Sequence, residues 1–184
     1  MILPLFRRNR PPDTISSLYG TIVAQARRPV FYRDYAVADT INGRFDLLLL
    51  HVALVVSRLM QEKATRPAGQ LLFDRFCLDM DDNLREIGIS DIAVPKHMKR
   101  VGEAFYGRAQ AYEAALAAGD DRLLGEALAR NIYGGQPPEP AVVARLAAYM
   151  RTMAAALAAA PAEAVAGGTV DLPDPAAAAL VEPA

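Results

Sequence analysis

The chain has 184 residues, 53% hydrophobic and 22% charged, enough apolar material for one domain with a sizeable core and too much for wholesale disorder. Twenty Lys and Arg stand against 21 Asp and Glu, so no net field draws the molecule onto DNA. The single cysteine, Cys77, excludes an internal disulfide framework and any multi-cysteine zinc or iron–sulfur site.

Residues 1–12 are expected to form a flexible basic N-terminus. Arg7, Arg8 and Arg10 follow a short apolar start, whereas a secretory signal places its charge before a longer apolar run. The segment reads either as a frayed end or as a weak contact with anionic lipid or RNA. Asp13 or Thr14 caps a first helix that runs to about Arg28, with Ile15, Leu18, Tyr19, Ile22 and Val23 on one side, and Pro29 stops it. Val30 to Gly43 reads as irregular, with one short turn near Tyr32 to Tyr35.

A long helix follows, from Asn42 or Arg44 to about Lys63. Its run from Leu47 to Ser57 covers about half of a ~30 Å hydrocarbon core and is apolar almost all round. That pattern predicts a central buried helix rather than a membrane span. Pro67 and Gly69 read as a loop. Leu72, Phe73, Phe76, Cys77, Met80, Leu84 and Ile87 recur at three- and four-residue steps and predict a third helix over about 70–87, ended by Gly88. A fourth, about 96–118, carries Met98, Val101, Phe105, Ala109, Tyr112 and Leu116 in one stripe. A fifth covers about 122–133 and a sixth about 141–159. Residues 161–184, rich in Pro, Ala and Gly, are expected to be a disordered tail. No strand-type alternation runs along the chain. The fold class is therefore all-α: a single-domain bundle of about six helices over 13–160, with a disordered C-terminal tail.

The chemistry-bearing residues are few. Six acidic residues lie between Asp74 and Asp91, against Arg75 and Arg85. An EF-hand that began at Asp79 would need Gly and Glu where Leu84 and Ser90 stand, so calcium binding of that type is excluded. Asp81 and Asp82 suggest a magnesium site for an isoprenoid diphosphate, but Arg85 occupies the place of a third aspartate and no second carboxylate-rich helix faces the pair. Arg75 with Asp79, and Asp81 with Arg85, also read as i,i+4 pairs on a solvated face, each contributing about 0.3 kcal/mol. An inward-facing polar network or a partner contact is the intermediate reading. Lys96, His97, Lys99 and Arg100 either neutralise that acidic helix or form a patch for an acidic or phosphate-bearing partner. His51 and His97 lack a Glu three residues before them, which removes the di-iron motif. His51 reads as a hydrogen-bonded core histidine and Cys77 as a packing residue. No cofactor and no catalytic constellation is predicted.

Several ordered segments do resemble a known family. Phe31-Tyr32, then Asp39-Thr40-Ile41-Asn42-Gly43-Arg44-Phe45-Asp46, Leu50-His51 and Arg58-Leu59 resemble the ubiquinol–cytochrome c chaperones. Leu72-Phe73-Asp74, Asp79-Met80-Asp81, Leu84 to Gly88, Ala104 to Arg108 and Ala129 to Tyr133 continue the likeness, which covers about Thr14 to Gly134 and looks like the bacterial branch. The resemblance implies a non-enzymatic helical assembly factor that binds cytochrome b or another bc1 complex subunit. It also implies the ribosome or a small partner protein as further partners, and a cytoplasmic location with peripheral contact at the inner membrane (the matrix side in mitochondria).

Such a domain would hold an apolar client helix in a groove with polar rims, and Met60, Met80 and Met98 would make the surface adaptable. Within the resemblance the binding candidates fall into four sets. Asp39, Asn42 and Arg44 would fix the loop before the central helix. Asp79, Asp82, Arg85 and Glu86 would form a recognition edge or an internal network. Lys96 and Lys99 would meet an acidic or phosphate-bearing partner. Phe105, Tyr106 and Arg108 would line the binding surface. Two alternatives stand beside this reading: the magnesium-dependent prenyl-diphosphate enzyme, and a generic helical adaptor with a lipid-facing N-terminus.

Overall fold

Among the described residues nine helical segments form along the chain: α1 (Asp13–Ala26), the single turn α2 (Val30–Arg33), α3 (Ile41–Gln61), α4 (Arg66–Glu86), α5 (Val94–Ala118), α6 (Asp121–Asn131), α7 (Pro140–Ala159) and the short α8 (Ala162–Ala166) and α9 (Pro175–Ala179). The computed structural model describes residues 13–179, and among these there is no strand. The expected basic N-terminus, 1–12, and the last five residues, 180–184, lie outside the described residues. Six of the helices are long, as the periodicity predicts, and the fold is all-α.

The central helix α3 is the axle. Leu47, Leu49, Leu50, Val52, Val55 and Leu59 are fully buried, and α1, α4, α5, α7 and α8 pack around it. Each such Leu or Val contributes about 1.5–3 kcal/mol of burial, which is why an almost uniformly apolar helix must lie inside. Its start is fixed locally. The Thr40 hydroxyl accepts from the Gly43 N–H at 3.1 Å, and the chain turns so tightly that a Cβ on Gly43 would sit 2.0 Å from the Ala38 carbonyl oxygen.

Pro67 and Gly69 do not form a loop. Both lie inside α4, with Pro67 in the first turn, where a missing N–H costs no helical bond. Gly69 lets α4 approach α3, since a Cβ there would meet Leu59 at 3.2 Å and the Met60 sulfur at 3.1 Å. Further on, α5 ends at Gly119 in the left-handed conformation, φ 64°, and Asp120 caps α6 by accepting from the N–H groups of Arg122 and Leu123.

The expectation of a disordered tail from residue 161 is corrected over 161–179. Val165 is fully buried against the core, and the following extended segment is gripped by side chains of the bundle. Gln25 Nε2 donates to the Pro173 carbonyl at 2.7 Å, the Tyr35 hydroxyl donates to the Pro175 carbonyl at 2.7 Å, and Arg28 pairs with Asp174 at 2.7 Å. The physical reason is that Pro and Ala carry few donors and little conformational entropy to lose. A segment with few large apolar side chains, here Val165, Val170 and Leu172 on the core, can therefore be ordered in good part through its backbone carbonyls.

Beneath this strap lies a buried polar network. His51 Nδ1 is 2.7 Å from the Leu47 carbonyl and its Nε2 is 2.9 Å from the Tyr149 hydroxyl. Gln25 Nε2 donates to the same hydroxyl at 2.8 Å. The ring therefore donates from Nδ1 and accepts at Nε2, and full burial lowers its pKa to about 4. This is the hydrogen-bonded core histidine that the apolar helix implied.

Candidate functional site

At one end of the bundle four helices leave an open groove of about 570 Å³. Its apolar wall consists of Val23 and Ala26 of α1, Phe45 and Leu48 of α3, Met80 and Leu84 of α4, and Val101 and Ala104 of α5. Each set follows helical spacing, so each helix turns one stripe toward the space. Ala26 and Ala104 are small at points where longer side chains would fill it. Ile41 and Ile87 stand at the mouth, 74% and 61% exposed, and extend the apolar wall toward solvent.

The rim is charged. Asp79 is satisfied from within the protein: the Tyr19 hydroxyl donates to it at 2.8 Å and Arg75 lies 3.7 Å away. Burial, together with the neighbouring Asp79 carboxylate, pushes the Tyr19 hydroxyl far up and keeps it a donor. The remaining charged and ionisable rim groups are Arg27 and Arg44 on one side and His97 and Arg100 on another. Arg44 pairs with Asp39 at 2.7 Å and lies over the Tyr32 ring at 5.9 Å. Arg27 and Arg44 also line a smaller polar recess of about 420 Å³, shared with Pro29, Tyr32, Arg33 and Asp39.

Asn42, Arg44 and Asp79 line the groove, with Asp39 in the adjoining recess. Asp82 and Glu86 are exposed at the end of α4. Arg85 holds Asp81 at 2.7 Å and also reaches Asp91, so the aspartate pair of the magnesium reading is split between an ion-paired and an exposed residue. Among the described residues no three His, Cys, Asp or Glu side chains are grouped to hold a metal ion. Lys96 is exposed, and Lys99 faces Glu103 along its own helix at 3.7 Å.

Phe105 is not on a surface: it is 2% exposed and packs on Phe73 and Phe76. Arg108 is half-buried in an ion pair with Asp46, whose carboxyl is raised by burial in spite of that partner. Tyr106 is exposed beside Phe73, outside the groove. Of Met60, Met80 and Met98, only Met80 lines the groove; Met60 is on the surface and Met98 packs on the core. Val23, Ala26, Arg27, Leu48, Val101 and Ala104 are among the groove residues that the sequence does not mark as binding candidates. Their apolar members follow the same periodicity as the core, so no local signal separates groove from core.

The helical bundle is notched by an apolar groove with a charged rim. Residues 33–172 match the family model described as ubiquinol-cytochrome C chaperone, and the chain belongs to that family. It is 26% identical over 135 residues to the ubiquinol-cytochrome-c reductase complex assembly factor 1 of Xenopus laevis, covering 73% of this chain and 67% of that protein. It is 27% identical over 148 residues to the Drosophila melanogaster protein of the same name, covering 76% of this chain and 56% of that one. The chain thus spans between about half and two thirds of the length of these relatives. The crystal structure of the Cbp3 homolog from Brucella abortus superposes with a TM-score of 0.82 at 39% identity, covering 96% of this chain and 98% of that one.

Proposed function

We propose that the groove holds an apolar helical segment of a ubiquinol–cytochrome c reductase subunit, cytochrome b, during assembly of the complex, and that the protein acts by binding alone. The observation that carries this is the open groove of about 570 Å³ with Ile41 and Ile87 exposed at its mouth. A helix is about 10–12 Å across with its side chains, so the groove admits the side chains of one face rather than a whole helix. Several hundred Å² of apolar contact at ~25 cal/mol per Å² amounts to several kcal/mol, much of it offset by ordering. That balance suits a reversible hold. Such a client places the protein at the membrane surface, in peripheral contact.

The test is to fill the groove. Ala104→Trp should sharply reduce co-purification of cytochrome b and the level of assembled reductase, with the melting temperature of the variant close to that of the wild type. Undiminished capture of cytochrome b by a folded Ala104→Trp protein would overturn the proposal.

A further inference from the structure

We propose that Arg27 and Arg44 form a carboxylate-binding station beside the groove, so that the preferred occupant is an apolar helix with an Asp or Glu just beyond its apolar stripe. This rests on reading the groove as a polypeptide site. The two arginines line both the apolar groove and the polar recess next to it, so an occupant of the first reaches them without leaving the protein surface. Among the described residues Arg27 has no carboxylate within ion-pairing distance. Arg44 commits its Nε to Asp39 and its terminal nitrogens make no hydrogen bond among the described residues. The Tyr32 ring underlies that guanidinium, and the Tyr32 hydroxyl donates to the Ala26 carbonyl, which ties the recess to the wall of the groove.

Among the described residues the one acidic side chain on the groove rim is Asp79, and it is already matched by Tyr19 and Arg75. The unmatched charge is therefore positive, and it complements an anion on the occupant. Two guanidinium forks suit a planar carboxylate. With Asp39 in the same recess, Arg27 and Arg44 retain one net positive charge, which a single side-chain carboxylate neutralises, and the adjoining wall of side chains at helical spacing suits the apolar face of a polypeptide helix.

Three labelled helical peptides test this against the full chain by fluorescence anisotropy. They share leucines at i, i+3, i+4 and i+7 and differ only in ending with Glu, Gln or Lys. The Glu peptide should bind about five- to ten-fold tighter than the Gln peptide, with an advantage that shrinks as salt rises. Arg27→Glu should shift the preference toward the Lys peptide, and Arg44→Gln should reduce the gain from Glu. Equal binding of all three peptides, blocked by Ala104→Trp, would overturn the carboxylate station and leave the groove intact. No binding of any peptide would overturn the groove reading as well. Displacement by phosphatidylglycerol vesicles, with indifference to peptide charge, would assign the arginines to lipid and overturn the proposal.

Discussion

The Tyr149 hydroxyl lies 2.9 Å from His51 Nε2, and this contact joins α7 to the central helix α3 where water does not reach. Gln25 donates to the same hydroxyl from α1, so one oxygen ties three helices together. Tyr149→Phe keeps the ring and removes the oxygen. It leaves His51 Nε2 without a donor, and it costs Gln25 one of its two acceptors. Loss of a buried partner costs about 1–3 kcal/mol, and urea unfolding should show a decrease of that size with an unchanged m-value.

The same histidine predicts how stability depends on acid. Its ring titrates at 6.5 in the unfolded chain and at about 4 when buried. Above pH 6.5 neither state binds the proton, and this group contributes no slope. As pH falls from 6.5 toward 4 the unfolded chain takes up a proton that the folded chain refuses, so stability falls by up to about 3 kcal/mol and then levels off. His51→Gln should flatten that part of the curve of urea midpoint against pH. An equally steep curve in the variant would assign the acid sensitivity to other groups.

Gly43 stands where the chain enters α3. An alanine there would place its Cβ 2.0 Å from the Ala38 carbonyl oxygen, a backbone atom that cannot swing aside. Gly43→Ala should therefore displace the 38–42 turn and lower stability by at least about 2 kcal/mol, although alanine is the better helix former. Thermal unfolding measures the cost. Gly20→Ala, at a helical position with nothing within 4 Å, should instead be neutral or stabilising.

The C-terminal strap is the fourth test. A chain ending at Thr169 loses the Gln25 and Tyr35 hydrogen bonds to Pro173 and Pro175 and the Arg28 pair with Asp174. It also uncovers the aromatic packing of Tyr35 on Tyr149. At about 1 kcal/mol for each of the two hydrogen bonds, less for the half-exposed ion pair, and with the packing of Val170 and Leu172 also lost, the shortened chain should be less stable by at least about 2 kcal/mol. Unchanged stability would show that the strap rests on the bundle without supporting it.

Local chemistry by itself determined the six long helices and their order. The all-round apolar run of Leu47 to Ser57 had to become a buried axle, and the stripes of α4 and α5 had to face it, because burial is set by side-chain type and helical spacing. The ordered motifs between Phe31 and Tyr133, those around Asp39 to Asp46 and Asp79 to Gly88 among them, together carried the family resemblance. Pro67 misled as a loop marker because proline opens a helix as readily as it ends one.

Tertiary structure alone decided which apolar residues close into the core and which leave a gap. Val101 and Phe105 sit on the same stripe of α5, yet one lines the groove and the other is buried among Phe73 and Phe76. Only the angles between α1, α3, α4 and α5 separate them. The strap was hidden for a related reason. Much of its order comes from carbonyls that accept hydrogen bonds from Gln25 and Tyr35, more than a hundred residues away in sequence, and backbone acceptors are common to every residue, so they leave no mark in side-chain composition.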